Sequence, residues 1–287
     1  VFYISIPPFD VQLETDIPAV INSINNMYQY SLKPMEDTEK FSDFHIKIAS
    51  PSRIRKHYRP QVQFYIDGKT PFKPLPLSQA FPFFEWGLNW CIASHTYQYL
   101  LLHAAVVEKD NKALILPGYP GAGKSTLCAA LVSSGWRLLS DEMAVIDTKT
   151  LELIPVVRPI SLKNESIKVI SEFSASAEFG ESFLDTAKGT VAHMKPSKQS
   201  FIQRIQRAKL KWVVFPRYLA TKPTQLIEKE KGEALIELAE NSFNYNVLGS
   251  QGFNLLCDLV ASAQCYKFEY SCLDEAVDLF QSLVEEN

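Results

Sequence analysis

The chain is poor in several features that mark whole classes of protein. Its five cysteines (Cys91, Cys128, Cys257, Cys265 and Cys272) include no Cys-x-x-Cys pair and no Cys/His spacing. That argues against a zinc ribbon or a disulfide framework and fits a reducing compartment. A basic excess is missing too: 29 Lys and Arg face 32 Asp and Glu, for a net charge of −3. A dedicated nucleic-acid binder is therefore not expected. Internal repeats and low-complexity tracts are absent, and no charged-then-apolar leader is visible, so a cytoplasmic location is expected. One run, Trp86 to Val107, is uncharged over 22 residues, about a bilayer span. Its middle, Ser94 to Gln98, is polar and would be unsatisfied in hydrocarbon, so it reads as a buried helix followed by a strand, with no membrane partner.

What the chain does have is a large apolar inventory, 46% of its residues, enough for a sizeable α/β core. Proline-rich spacing at Pro71, Pro74 and Pro76 divides it into a small α+β unit, 1–76, and a larger unit, 77–287. In the first, Phe2 to Ile6 and Phe44 to Ile48 alternate like strands, and Ile17 to Tyr30 has helical spacing. Val62 to Ile66 followed by Asp67-Gly68 predicts a hairpin. In the second, the pattern predicts a helix over Phe83 to Ala93, strands over Leu100 to Val107 and Ala113 to Leu116, and a helix over Lys124 to Ser134 closed by Gly135. Strands near Arg137 to Leu139 and Met143 to Ile146 follow. The end reads as a strand, Tyr266 to Tyr270, and an amphipathic helix with Ser271 and Asp274 as its capping pair.

Between the Ala113 strand and the Lys124 helix lies Gly118-Tyr119-Pro120-Gly121-Ala122-Gly123-Lys124-Ser125, which fits G-x-x-x-x-G-K-[ST] at every fixed position. Glycines let backbone N–H groups turn toward phosphate oxygens, and the following helix, entered through Ser125 and Thr126, aims its positive end at them. Lys124 is placed to reach the β- and γ-phosphates and Ser125 to ligate Mg²⁺, so ATP and Mg²⁺ are the expected cofactors. Downstream, Leu138-Leu139-Ser140 ends in Asp141 and Glu142. An acid at that strand's end would return beside the phosphates, to hold Mg²⁺ or to accept a hydroxyl proton. His103, on the preceding strand, is a further candidate, although a histidine in an apolar strand is more often a core residue. Small GTPases would show Asn-Lys-x-Asp and transporter ATPases a Leu-Ser-Gly-Gly-Gln-type signature. Neither is present, which leaves phosphoryl transfer to a hydroxyl or to water.

Leu101-Leu102-His103-Ala104-Ala105-Val106-Val107, the glycine loop, and Gly135-Trp136-Arg137-Leu138-Leu139-Ser140-Asp141-Glu142 resemble the catalytic half of the bacterial HPr kinase/phosphorylase family. The resemblance is closest to its HPr-kinase-related kinase A group. It extends through Glu85-Trp86-Gly87-Leu88-Asn89-Trp90-Cys91, Arg158 to Asn164 and Lys188-Gly189-Thr190-Val191-Ala192-His193. It implies a P-loop kinase core of the HPr kinase / phosphoenolpyruvate carboxykinase type, with the small N-terminal α+β unit added. It implies ATP, Mg²⁺ and serine phosphorylation of a small protein. Asp141 would take the acceptor proton, His103 would assist, and Ser125 would ligate the metal. The family's metal-binding Glu would align within Val156-Val157-Arg158-Pro159, which has no acid, so Glu142 is expected to take that part. The later phosphorylase segment has no match. A homo-oligomer is left open.

From Thr186 to Ile227 the chain has nine bases and no acid, whereas Glu228 to Asn287 has twelve acids and three bases. The expected reading is a solvated surface whose bases pair with the acidic C-terminal part; the other is a field that gathers an acidic acceptor. Lys188 and His193, after a glycine-containing stretch, are candidates for an acceptor loop. Arg158 and Lys163 are candidate phosphate or acceptor contacts. Glu85, Trp86, Asn89 and Trp90, at helical spacing, are expected to pack in the core. The expectation is an ATP- and Mg²⁺-dependent kinase acting on a hydroxyl, most simply a serine of a peptide or small protein. A small-molecule kinase and a non-catalytic, ATP-gated binding module are the alternatives.

Overall fold

Period-two alternation in the first fifteen residues builds two strands where one is predicted. β1 (Phe2–Ile6) turns into β2 (Phe9–Thr15), whose Phe9, Val11 and Leu13 face inward. The computed structural model describes residues 1–34, 41–51 and 58–286. α1 (Pro18–Met27) opens with proline in its first turn, where a missing N–H costs nothing. β2 then pairs in parallel with β3 (Phe44–Ala49), and β3 pairs antiparallel with β4 (Gln61–Ile66), with β5 (Leu75–Pro76) at the edge. Asp67 and Gly68 take φ of 47° and 76°, as a tight two-residue turn requires. The return is a single bridge from Ile66 to Lys69 rather than a strand.

α2 (Ala80–His95) is apolar nearly all round, as a helix buried between layers must be. Its Phe83, Phe84, Leu88 and Ile92 join the core of the N-terminal sheet, and that core continues to Leu101, Val145, Val156 and Phe183. The apolar cluster therefore runs across position 76. A Cβ on Gly87 would collide with the Phe64 ring, so glycine is what lets α2 approach β4. Among the described residues no helix is long and apolar enough to cross a membrane.

The chain continues through β6 (Tyr99–Leu102), β7 (Ala104–Lys109), β8 (Lys112–Pro117), α3 (Lys124–Ser133), β9 (Arg137–Ser140), β10 (Ala144–Asp147), β11 (Leu153–Ile154) and β12 (Ile160–Lys163). Then come α4 (Glu165–Phe173), β13 (Phe183–Thr186), β14 (Gly189–Met194), α5 (Lys198–Ile202), β15 (Lys209–Tyr218) and β16 (Gln225–Glu228). α6 (Lys231–Glu240), α7 (Tyr245–Leu248), α8 (Ser250–Ser262), β17 (Gln264–Tyr270) and α9 (Leu273–Glu285) complete it. The result is a mixed α/β architecture with several sheets. Its main sheet has the order β16-β17-β15-β8-β7-β9, and two three-stranded sheets, β11-β10-β6 and β12-β14-β13, lie alongside.

The direction of these strands positions the site. β8, β15 and β17 run parallel, while β7 is antiparallel to both β8 and β9. The carboxyl ends of β8, β9, β15 and β17 and the start of β7 therefore share one end of the sheet. On β15, Trp212 and Val214 face the layer of α3 and α9, whereas Val213 and Phe215 face that of α6 and α8.

Two local expectations are corrected. The single strand predicted over Leu100 to Val107 is broken at His103, because β6 pairs with β10 in a small sheet and β7 with β8 and β9 in the large one. The bend is held by the His103 N–H donating to the Asn241 carbonyl at 2.6 Å. Ser271 and Asp274 do not cap α9: Cys272 precedes the helix without a side-chain cap, and the Ser271 hydroxyl donates to the Lys222 carbonyl. Gly135, at φ 93°, closes α3 in the left-handed conformation as the pattern predicts.

Candidate functional site

The glycine loop leaves β8 and enters α3 through three positive-φ glycines, Gly118 at 141°, Gly121 at 89° and Gly123 at 95°. Side chains rarely adopt such conformations, so these positions fix the loop's shape. α3 has no side-chain cap, which leaves its first N–H groups to an external anion. Lys124, only 7% exposed, folds back to donate to the carbonyls of Gly118 and Tyr119. Burial lowers its pKa, Lys163 adds to that, and Asp141 and Glu142 oppose it. Ser125 and Thr126 are half-buried in the first turn, and Pro120 and Tyr119 are exposed, with the Tyr119 hydroxyl donating to Glu240. Ala122 accepts from the Tyr218 N–H at 3.2 Å, and Gly123 accepts from the Tyr270 hydroxyl at 3.1 Å.

Asp141 follows the end of β9 and is buried beside this loop. Its Oδ2 accepts from the Ser161 N–H at 2.9 Å, while Oδ1 has no hydrogen-bond partner. Burial, then the neighbouring Glu142, pushes its pKa up to about 6, although the Ser161 N–H and the Ser125 hydroxyl favour the carboxylate. Glu142 differs. Burial would raise it, but Lys163, Lys188, Arg158 and His103 together hold it below the usual carboxylate range. It accepts from the Asn89 amide and lies 3.8 Å from the Lys163 ammonium. Lys188, in the β13–β14 turn, sits over the Trp86 ring at 5.1 Å. Partial desolvation and then Lys163 lower its pKa, against Glu142.

His103 stands at the start of β7 with its ring 5.7 Å from that of Phe243. Burial and then Lys124 lower its pKa to about 4, so the imidazole is neutral at physiological pH. The fold thus gathers Lys124, Ser125, Asp141, Glu142, Lys163, Lys188 and His103 at one end of the sheet. Arg158 is nearby but committed elsewhere. Its guanidinium donates to the Glu85 carboxylate and carbonyl, to Asn89, and at 3.3 Å to the Tyr28 hydroxyl. A phosphate or acceptor contact would require breaking that set.

Sequence reasoning places Trp86 and Asn89 in the core with Trp90. Only Trp90 packs there, edge-on to Phe72. Asn89 bridges Glu142 to Arg158, and Trp86 carries Lys188. Trp86, Asn89, Ser161 and His193 line a narrow cleft beside Asp141 and Glu142. In it the Asp141 Oδ1, the Ser161 Oγ and both His193 ring nitrogens are buried without hydrogen-bond partners. Ser161 and His193 face each other across β12 and β14. A helical stripe could not reveal this, since one turn of α2 separates a core ring from a site ring.

The donor set suits a hard divalent cation. A serine hydroxyl lies beside two carboxylates adjacent in the chain, one of which is raised by the other's charge, a repulsion that a cation between them would relieve. Among the described residues no three His, Cys, Asp or Glu side chains are placed to hold a metal ion by themselves. Mg²⁺ does not need such a set, because it keeps several waters and takes phosphate oxygens.

The basic stretch does not pair as expected. Lys195 bonds Glu178, and Arg207 bonds Asp147 and Glu152, while the C-terminal acids Glu233 and Glu237 are taken by Lys229. β15 does pair with β17, but among the described residues the ion pairs of the basic stretch go to acids that precede it in the chain.

No family model and no curated protein matches the chain. Among solved structures it is similar to the HPr(Ser) kinase/phosphatase from Coxiella burnetii, at 12% identity, covering 65% of this chain and 99% of that one, with a TM-score of 0.29. A likeness so weak leaves function to the site's own geometry.

Proposed function

We propose that this protein transfers the γ-phosphoryl group of ATP to a hydroxyl, with a serine of a peptide or small protein as the acceptor. The observation that carries the reading is Asp141 at the end of β9, buried near the head of the glycine loop with one oxygen held by the Ser161 N–H and the other without a partner, and with its pKa raised to about 6. A base so placed is ionised near neutrality yet basic enough to take a proton in the transition state. The resemblance of the His103, Gly118–Ser125 and Asp141 segments to HPr kinases agrees with it.

In this mechanism the loop amides and the Lys124 ammonium grip the β- and γ-phosphate oxygens. Lys124 would exchange its present bonds to Gly118 and Tyr119 for phosphate oxygens. The acceptor hydroxyl gives its proton to the Asp141 Oδ1 as its oxygen bonds to the γ-phosphorus. The bond between that phosphorus and the β,γ-bridging oxygen breaks, and ADP leaves with the electron pair. Ser125 and Glu142 would hold Mg²⁺, which when bound neutralises charge on the β- and γ-oxygens. His103, neutral, orients the acceptor by hydrogen bonding and does not act as an acid. Lys163 and Lys188 offset the acids and favour an anionic reactant.

The test is transfer from γ-labelled ATP into peptides and proteins of a cell lysate, with Lys124→Ala and Asp141→Asn as controls. Label transfer that survives both substitutions in folded protein overturns the reading. An ATP-gated binding module would instead keep ATP affinity and show no turnover dependent on Asp141.

A further inference from the structure

The main sheet divides the catalytic end into two sides. β8 carries the phosphate loop. On one side, the start of β7 and the end of β9 present His103 and Asp141. On the other, the ends of β15 and β17 present Tyr218 and Tyr270, which are directly paired in register. Transfer of a terminal phosphoryl group toward Asp141 requires the rest of the nucleotide to extend the opposite way. The side left for it is that of β15 and β17.

Tyr218 is the exposed group there. Its backbone N–H is bonded to the Ala122 carbonyl of the loop, and the residue is 52% exposed. The ring is not loose: it meets the Tyr270 ring at a centroid distance of 5.7 Å and an angle of 70°. Tyr270 is itself buried, stacked on Phe268 and bonded through its hydroxyl to Gly123. A Cβ on Gly123 would strike that hydroxyl and come within 3.3 Å of the Tyr218 Cβ, so loop and rings are fitted together. Tyr119 is also exposed, but its hydroxyl is tied to Glu240.

We propose that Tyr218 is the stacking platform for the nucleotide's purine base, supported from behind by Tyr270 and placed by its backbone bond to the phosphate loop. The proposal rests on the reading of residues 118–125 as a nucleotide loop. Stacking recognises the flat face and not the hydrogen-bonding edge of a base, so Tyr218 contributes equally to ATP and GTP.

The experiment is calorimetric binding of ATP, GTP and inorganic tripolyphosphate to the full chain in the presence of Mg²⁺. Tripolyphosphate has the phosphates and no base. In Tyr218→Ala the affinities for ATP and GTP are expected to fall about five- to tenfold while that for tripolyphosphate stays unchanged, and Tyr218→Trp is expected to restore both nucleotides. ATP affinity unchanged in Tyr218→Ala, with Lys124→Ala abolishing it, overturns the platform and spares the loop. Equal loss of tripolyphosphate overturns the platform as well, because the effect then runs through the loop backbone. Wild-type protein that binds none of the three overturns both readings. Should Tyr218→Ala unfold, Tyr218→Leu separates the cases: an aliphatic side chain keeps the bulk against Tyr270 but lacks the ring face, so nucleotide affinity still falls.

Discussion

Two buried polar clusters meet at Asn89 and are built on opposite principles. In the first, Tyr28, Glu85 and Arg158 join α1, α2 and the segment before β12. The Tyr28 hydroxyl donates to Glu85 at 2.6 Å, and Arg158 donates to both. Burial works against the Arg158 cation, but Tyr28 and Glu85 outweigh it and raise its pKa. In the second, around the glycine loop, two acids stand side by side, Asp141 keeps an oxygen without a partner, and Lys124 and His103 are both shifted toward neutrality. The difference teaches where each cluster's free energy goes. A fully partnered buried charge locks elements together, whereas a partly partnered one is held ready for a ligand that completes it.

The sharpest way to break that comparison is to remove one partner from the first cluster. Arg158→Ala leaves Glu85 buried without its cation and is expected to cost about 3–5 kcal/mol in urea unfolding. Replacing both, as Glu85→Leu with Arg158→Met, is expected to recover most of that loss. If Arg158→Ala changed turnover with little change in stability, the guanidinium would belong to the chemistry instead. In the second cluster, Lys124→Ala is expected to remove about 3–4 kcal/mol of transition-state stabilisation, roughly 10²- to 10³-fold in turnover, with folding stability nearly unchanged.

Asp141 provides a pH-dependent contrast. Its folded pKa of about 6 lies above that of an unfolded aspartate, so the folded state binds the proton more tightly. The stability this contributes is full at low pH and is lost as pH rises through about 6. Metal-free Asp141→Asn protein is therefore expected to be more stable than wild type at pH 8, by on the order of 2–3 kcal/mol, with the gap closing toward pH 4. Thermal unfolding against pH reads this directly. The rate follows the same base. Transfer should be lost at acid pH as Asp141 is protonated, with a midpoint below the metal-free value of about 6 because bound Mg²⁺ would relieve the repulsion from Glu142, and no further limb from His103 should appear near neutrality because its pKa is about 4. The smallest effect belongs to neither cluster: Glu172→Ala breaks only the exposed Lys168–Glu172 pair on α4 and should change stability by less than about 0.5 kcal/mol.

Much of the loop's surroundings is legible in the residues. The strand, glycine loop and helix over 112–133 follow from an apolar run, positive-φ glycines and 3.6-residue spacing, all local signals. β2 carries an equally local signal, since Phe9, Val11 and Leu13 alternate, although only the strand over Phe2 to Ile6 is predicted there. The break at His103 was not legible, because nothing in Leu100 to Val107 says that two sheets will share it; the partners Asn241 and Ser242 lie far along the chain. Arg158 shows the same limit. Its charge suggests a phosphate contact, and only the return of α2 shows that Glu85 has taken it.

The sequence by itself determined the apolar periodicity of the main strands, the glycine positions that shape the loop, and the order in which a histidine, a lysine and two acids occur. These are properties of adjacent residues, set by backbone sterics and by side chains three or four apart. Tertiary structure alone decided which acid lost its solvent, which lysines gathered around Glu142, and which aromatic rings face the loop. A pKa or a partnership depends on what packs within a few ångströms, and here those neighbours come from strands and helices brought together by the sheet.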